Sequence, residues 1–298
     1  MKARVIVNPI SGRGRRPQDD ITDLRRIFAD HGLECEVICQ RTRGEGTALA
    51  SEAVAQGFDL VVAVGGDGTV NEVVCGLVNT NVSLGIVPAG SGNGMAREFG
   101  IPLKLGDACR TIIHGRTRVV DVGKMNGRFF LGTAGIGYDA VVGKLFEEKW
   151  GNRRGLLPYA PAAICGFFKY KAQPVNVRFD DHQLTVLPLL ITAANISQFG
   201  GGAIIAPQAE PDDGLLDVCI IHRLTFLQAF YHWPKLFRGH IDRMSQWDVY
   251  RTSSVEISAH WPMPVHMDGE PIQESTDLKI DLMPGALCVR VPVIGSTR

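Results

Sequence analysis

Over the first third of the chain, apolar runs of strand length alternate with helical patterns. Residues 3–7 read as a strand. Residues 22–31 read as a helix with Leu24, Ile27 and Phe28 on one face and Gly32 as its C-cap. Residues 35–39 are the next strand, a loop opens at Thr42, and residues 47–55 predict a second helix. Residues 60–64 are continuously apolar, as in a strand buried on both faces. Val70, Val73, Val74 and Leu77 then form one helical stripe, with Thr69 available as its N-cap. Residues 82–87 repeat the buried-strand pattern. This alternation, running to about residue 120, predicts a parallel sheet in an α/β fold.

The pattern changes near Arg118. Residues 119–125 and 128–133 flank Asn126-Gly127, a type I′ hairpin signal. Runs at 175–179, 184–194, 215–221, 249–258, 265–267, 278–282 and 287–293 follow with short polar turns, which predicts an antiparallel β-sandwich. Helical patterns interrupt them at 140–150 and at about 226–237. The second carries Phe226, Leu227, Phe230, Tyr231, Trp233, Leu236 and Phe237 beside Lys235 and Arg238. Such a stripe is either core or an amphipathic face at a membrane surface. Residues 156–170 are apolar but too short to span a bilayer, and either line an acyl-chain pocket or cover the sheet.

Composition narrows the classes. The 298 residues are 45% hydrophobic with 34 glycines, as in a packed α/β or mixed protein of one large domain or two ordinary ones. Lys plus Arg equals Asp plus Glu at 31 each, so bulk charge gives no case for nucleic-acid binding. The apolar run after Lys2-Ala3-Arg4 is too short for a signal peptide. The 7 cysteines are scattered. The closest pair, Cys35 and Cys39, would stand about 13 Å apart on a strand, too far for a disulfide. Reduced thiols in a cytoplasmic protein are the expectation.

Candidate chemistry gathers in glycine-rich loops. Gly65, Gly66 and Gly68 surround Asp67 between strand and helix, where amide N–H groups converge as they do around phosphate. A bare carboxylate repels phosphate, so Asp67 fits through Mg²⁺ or as a proton-handling group; the alternative is a structural turn. Residues 88–97 form a second glycine-rich junction, and two such loops at strand carboxyl ends imply a ligand crevice. The loop after the first strand holds Asn8, Pro9, Ser11 and Gly12, with Arg13, Arg15 and Arg16 as a cation cluster. No GxGxxG, Walker A, GxSxG or HExxH pattern occurs.

Four motifs stand in order: Asn8-Pro9-x-Ser11-Gly12, Gly65-Gly66-Asp67-Gly68-Thr69-x-Asn71-Glu72, Pro88-x-Gly90-Ser91-x-Asn93, and Asp268-Gly269-Glu270. Together they resemble the soluble diacylglycerol kinase family of bacterial lipid kinases, with its sphingosine and ceramide kinase relatives, over nearly the whole chain. The resemblance implies a Rossmann-like α/β nucleotide domain over residues 1–122, to which residues 284–298 can return, and a β-sandwich lipid-substrate domain over 123–283. It implies an active site in the interdomain cleft. ATP would be bound by residues 8–12, Thr42, residues 65–72, Ser91 and Asn93. A structural Mg²⁺ would be held by Asp213 and the carbonyls of Glu210 and Leu215; the other reading of Asp212-Asp213-Gly214 is an ordinary turn. The implied reaction moves the ATP γ-phosphate to a lipid hydroxyl, foremost diacylglycerol, giving phosphatidic acid. Asp268 or Glu270 would be the base, with Asp67 as rival base or Mg²⁺ partner; the plain alternative for Asp268-Gly269 is a hairpin turn.

One position departs from the family. Its diacylglycerol kinases carry an acid after the Asn of the second loop, and here that residue is Gly94. A sphingoid-base kinase, an NAD-kinase-type small-molecule kinase and a non-catalytic nucleotide- or lipid-binding protein therefore stay open. So do peripheral contact with the inner face of a membrane, and a homodimer.

Overall fold

The computed structural model describes residues 1–10, 17–150, 159–180, 182–200 and 202–293, without the side chains of residues 17, 150 and 200. Ser11, Gly12, Arg13, Arg15, Arg16 and the start of the 156–170 run lie outside the described residues. By its contacts the chain divides into two units, Met1–Val122 with Pro284–Arg298, and Gly123–Met283.

The first unit alternates strand and helix. Its elements are β1 (Lys2–Val7), α1 (Pro17–Asp30), β2 (Glu34–Cys39), α2 (Glu45–Ala55), β3 (Leu60–Gly65), α3 (Asp67–Leu77), β4 (Ser83–Pro88), α4 (Gly94–Glu98), α5 (Leu105–His114) and the first part of β5 (Arg116–Met125). The sheet order β2-β1-β3-β4 is parallel throughout. All six residues of β3 are buried, which is why its sequence is apolar at every position rather than alternating. Val70, Val73, Val74 and Leu77 bury the inner stripe of α3, each contributing about 1.5–3 kcal/mol of transfer free energy. Gly32, at φ 68°, ends α1 as the sequence predicted.

Thr69 does not cap α3. The helix starts two residues earlier, with Gly66 as N-cap and no capping side chain. A Cβ on Gly65 would lie 2.4 Å from the Thr69 hydroxyl, so this glycine gives Thr69 its buried place inside the helix. α4 is the helix that the second glycine-rich junction leads into, whereas α5 was not anticipated. Both are short, and the inner face of α5 mixes Ala108, Cys109 and Thr111 with Ile112, which blurs the apolar period.

The second unit begins within β5 and continues with β6 (Arg128–Phe130), β7 (Thr133–Gly137), α6 (Tyr138–Trp150), α7 (Tyr159–Lys169), β8 (Val175–Phe179), β9 (His182–Val186), β10 (Pro188–Ala194), β11 (Gln198–Gly200) and β12 (Ala203–Ile204). Then come β13 (Leu216–His222), α8 (Phe226–Phe237), β14 (Trp247–Thr252), β15 (Ser254–Met267) and β16 (Glu270–Val291), whose last residues return to the first unit beside β4. This unit is an antiparallel β-sandwich. β10 and β13 run through its middle with both faces covered: Ile191, Ala193, Val218 and Ile220 point to one core, Leu190, Ala194, Cys219 and Ile221 to the other.

β15 explains why strand limits were misread. Residues 256–258 pair with β8 and residues 265–267 with β7, and the β16 register shifts between Ser258 and Met263, around Pro262. A bulged strand of this kind turns a sandwich corner. The expected strands at 184–194 and 249–258 each split in two, at Leu187 and Ser253. Among the described residues no disulfide joins any cysteines.

Candidate active site

In the first unit the two glycine loops touch through bare backbone. A Cβ on Gly90 would fall 2.5 Å from Gly66 Cα and 3.0 Å from Asn93 Oδ1. Asn93 sits in the left-handed region at φ 51°, and its amide reads Gly90 in both directions: Gly90 N–H donates to Oδ1 at 2.9 Å, and Nδ2 donates to Gly90 O at 2.9 Å. Asn93 is thus the hinge pin of the second loop. Gly90→Ala is expected to force the loops apart and cost about 1–3 kcal/mol. A lowered Tm checks this; an unchanged Tm would show that the loops tolerate separation.

Asp67 joins the same loops. Its Oδ2 accepts from Gly94 N–H at 2.9 Å and its Oδ1 from Met95 N–H at 3.0 Å. The departure at Gly94 is therefore met by a main-chain amide turned to Asp67. With one amide on each oxygen, lone pairs remain for a cation. Asn8 closes the third side: its Nδ2 donates to Thr69 Oγ1 at 3.0 Å, and its Oδ1 accepts from Ile10 N–H at 3.1 Å. Nearby, Asn71 Oδ1 is buried with no hydrogen-bond partner.

Glu72 and Thr42 both belong to the contacts of the β2–α2 loop. Glu72 takes Gly44 N–H on Oε1 at 2.8 Å, and Gln40 Nε2 (2.6 Å) and Gly46 N–H (3.2 Å) on Oε2. It braces the β2–α2 loop against α3. Glu45 receives the amides of Arg41 and Thr42, and that pair of bonds, Arg41 first, holds its carboxyl below the ordinary value. Thr42 and Ser91 are exposed.

In the second unit Asp268 and Gly269 form a two-residue turn, at φ 49° and 79°, between the paired Met267 and Glu270. It is a hairpin turn, yet its acid points inward. Asp268 Oδ1 accepts from Gly132 N–H (2.7 Å) and Thr133 N–H (3.0 Å), and Oδ2 accepts from Leu131 N–H (3.1 Å). These amides explain why the expected strand 128–133 breaks into β6 and β7. α6 lies against the turn: a Cβ on Gly143 would meet Pro271 Cδ at 3.4 Å and Gly269 O at 3.6 Å. Asp139, in the first turn of α6, stands 2.9 Å from the Nε2 of buried His266, two residues before the turn. Sequence reasoning missed this pair; a His and an Asp on elements far apart in sequence carry no local signal. Glu270 lies within electrostatic reach of Tyr159, whose hydroxyl is pushed up first by burial, then by Glu147 and Glu270.

The expected metal residues lie just before β13. Asp213 Oδ1 accepts Leu215 N–H at 2.9 Å, while Oδ2 pairs with the Arg251 guanidinium, which also reaches Asp217 at 3.8 Å. Burial raises the Asp217 pKa, Arg251 opposes that shift, and Asp213 and Glu210 add to it. Each oxygen of Asp213 thus has one partner, and an ion held there would share Asp213 with Arg251. Among the described residues no group of three or more His, Cys, Asp or Glu side chains is gathered to hold one.

Residues 2–125 match the diacylglycerol kinase catalytic domain model, and residues 132–291 match the YegS C-terminal NAD kinase beta sandwich-like domain model. The chain belongs to the diacylglycerol kinase family. It is 32% identical over 253 residues, 84% of this chain and 81% of the other, to the "Probable lipid kinase YegS-like" of Chromohalobacter salexigens. It is 30% identical to the diacylglycerol kinase of Bacillus subtilis, covering 90% of this chain and 89% of that one. A solved diacylglycerol kinase structure from Bacillus anthracis shares the fold, with a TM-score of 0.75 at 24% identity over 97% of this chain and 96% of that one. The chain is accordingly a kinase, and kinases of this family use ATP. Among the described residues no helix is long and apolar enough to cross a membrane.

Proposed function

We propose that the protein moves the γ-phosphate of ATP to the hydroxyl of a lipid alcohol, diacylglycerol before sphingoid bases, working at the inner face of a membrane. The observation that carries this reading is the pair of glycine loops in backbone contact at the ends of β3 and β4, beside an α3 that opens on Gly66 without a capping side chain. First-turn amides left bare in this way suit phosphate oxygens. Asp67 would hold Mg²⁺ through its remaining lone pairs, and that ion, when bound, would spread the phosphate charge.

Asp268 turns both carboxylate oxygens to backbone amides, which suits a role in fixing the turn. We assign proton transfer to Glu270, which directly follows the Asp268-Gly269 turn, with Asp268 fixing that turn. Glu270 takes the hydroxyl proton as the oxygen bonds to the γ-phosphorus, and the bond to the bridging oxygen breaks to release ADP.

Incubation with γ-labelled ATP, Mg²⁺ and a total lipid extract tests the reading. Label in a chloroform-soluble product comigrating with phosphatidic acid is the expected result. Label only in a water-soluble product would favour a small-molecule kinase of the NAD-kinase type. Bound ATP with no transfer would favour a non-catalytic role.

A further inference from the structure

α8 rests on the sandwich by its smaller side. Ala229 and Leu236, two turns apart on one face, pack on the core that holds Leu190, Ile205, Ile221 and Met244. The larger apolar side chains face the other way. Leu227 is 78%, Phe230 74% and Tyr231 72% exposed, and no residue of α8 is buried. α7 continues the patch: Phe168 is 68% exposed and stacks on Phe226, ring centroids 5.2 Å apart. The helix start is locked by reciprocal bonds between Thr225 and Gln228, so this face belongs to an ordered helix. A helix that only covered a core would turn these side chains inward. A contiguous exposed patch of this kind marks an interaction surface.

Charge selects what covers it. Residues 159–172 contain Lys169 and Lys171, residues 223–240 contain Arg223, Lys235 and Arg238, and neither stretch has an Asp or Glu, in a chain with 31 of each charge. A second copy docking here about a two-fold axis would set these cations against themselves. A bilayer carrying anionic lipid answers both features, with acyl chains for Leu227, Phe230 and Phe168 and headgroups for the cations. Tyr231 and Trp233 join an apolar ring to a polar atom, which suits the boundary between the two layers. Beside the patch, Lys171 and Arg223 line a cavity of about 420 Å³ together with Phe167, Leu189 and Leu224.

We infer that the α7–α8 face is the surface by which this protein docks on membranes containing anionic lipid. The inference deepens the lipid-kinase reading by giving the substrate's membrane a landing surface, but it rests on residues that take no part in phosphoryl transfer.

The full-length protein is sedimented with vesicles of phosphatidylcholine, and of phosphatidylcholine with phosphatidylglycerol. Wild type should partition to the mixed vesicles. Phe230→Asp with Tyr231→Asp should lower that partition at least tenfold, and Lys235→Ala with Arg238→Ala by about fivefold per cation. Wild-type partition in the aspartate variant would overturn the proposal. So would a wild-type dimer, seen by sedimentation velocity, that the aspartate variant splits. The kinase reading is separated by water-dispersed short-chain diacylglycerol without vesicles. There the aspartate variant should turn over like wild type; losing that turnover too would place Phe230 and Tyr231 in catalysis and end the docking proposal. Wild type that is inert on the dispersed substrate yet binds vesicles would sink the kinase reading alone.

Discussion

Glu270→Gln is expected to lower turnover by about 10²–10⁴-fold, the usual worth of a positioned general base, with ATP affinity unchanged. The substitution keeps the side chain's shape and removes only its capacity to take a proton. The role is assigned to Glu270 because Asp268 is taken to fix the turn and Asp67 to hold Mg²⁺. Three amides of residues 131–133 point at Asp268, and two amides of α4 point at Asp67. A contrast variant separates chemistry from architecture. Asp268→Asn would aim an N–H₂ group at amide donors, so it should lower Tm as well as activity. Glu270→Gln, which keeps the shape, should lower activity with a smaller change in Tm. Single-turnover transfer from labelled ATP, with Tm measured in parallel, checks both. Wild-type transfer by Glu270→Gln would remove the residue from the mechanism.

What was legible in the sequence follows from the range of the forces involved. Residues 60–64 were readable because a strand buried on both faces needs an apolar residue at every position, and this requirement is local. The Asp268-Gly269 turn was readable as a hairpin for the same reason, since left-handed backbone selects Gly and Asp residue by residue. That the Asp268 carboxylate faces the amides of residues 131–133 was not readable, because those partners lie more than 130 positions away. α8 shows the limit most clearly. Its spacing defines two faces, but the face holding Ala229 and Leu236 meets the core and the heavier one does not. Which stripe turns inward depends on the surface offered by β10 and β13. Asp213 is a similar case: the sequence shows an acid in a turn, but not that Arg251, from β14, pairs with it.

Asp67→Ala should lower turnover by about 10²–10³-fold, the scale seen when a positioned charge-handling group is removed. It should also lower Tm, because Gly94 and Met95 N–H groups lose a charged acceptor, each such bond being worth about 1.5–3 kcal/mol. The two losses have different origins, and Mg²⁺ distinguishes them. If Asp67 only clasps α4 to the first glycine loop, wild type and variant should bind ATP with the same dependence on Mg²⁺. If it also holds the cation that accompanies the triphosphate, titrating Mg²⁺ at fixed ATP should require more ion in the variant to reach half-saturation. The second result is expected, because one amide on each oxygen leaves lone pairs on both, and because Gly94, next to Asn93 in the second loop, brings no second carboxylate to share the ion. Equal Mg²⁺ requirements with a lowered Tm would reduce Asp67 to a structural clasp, and the phosphate site would then rest on loop amides alone.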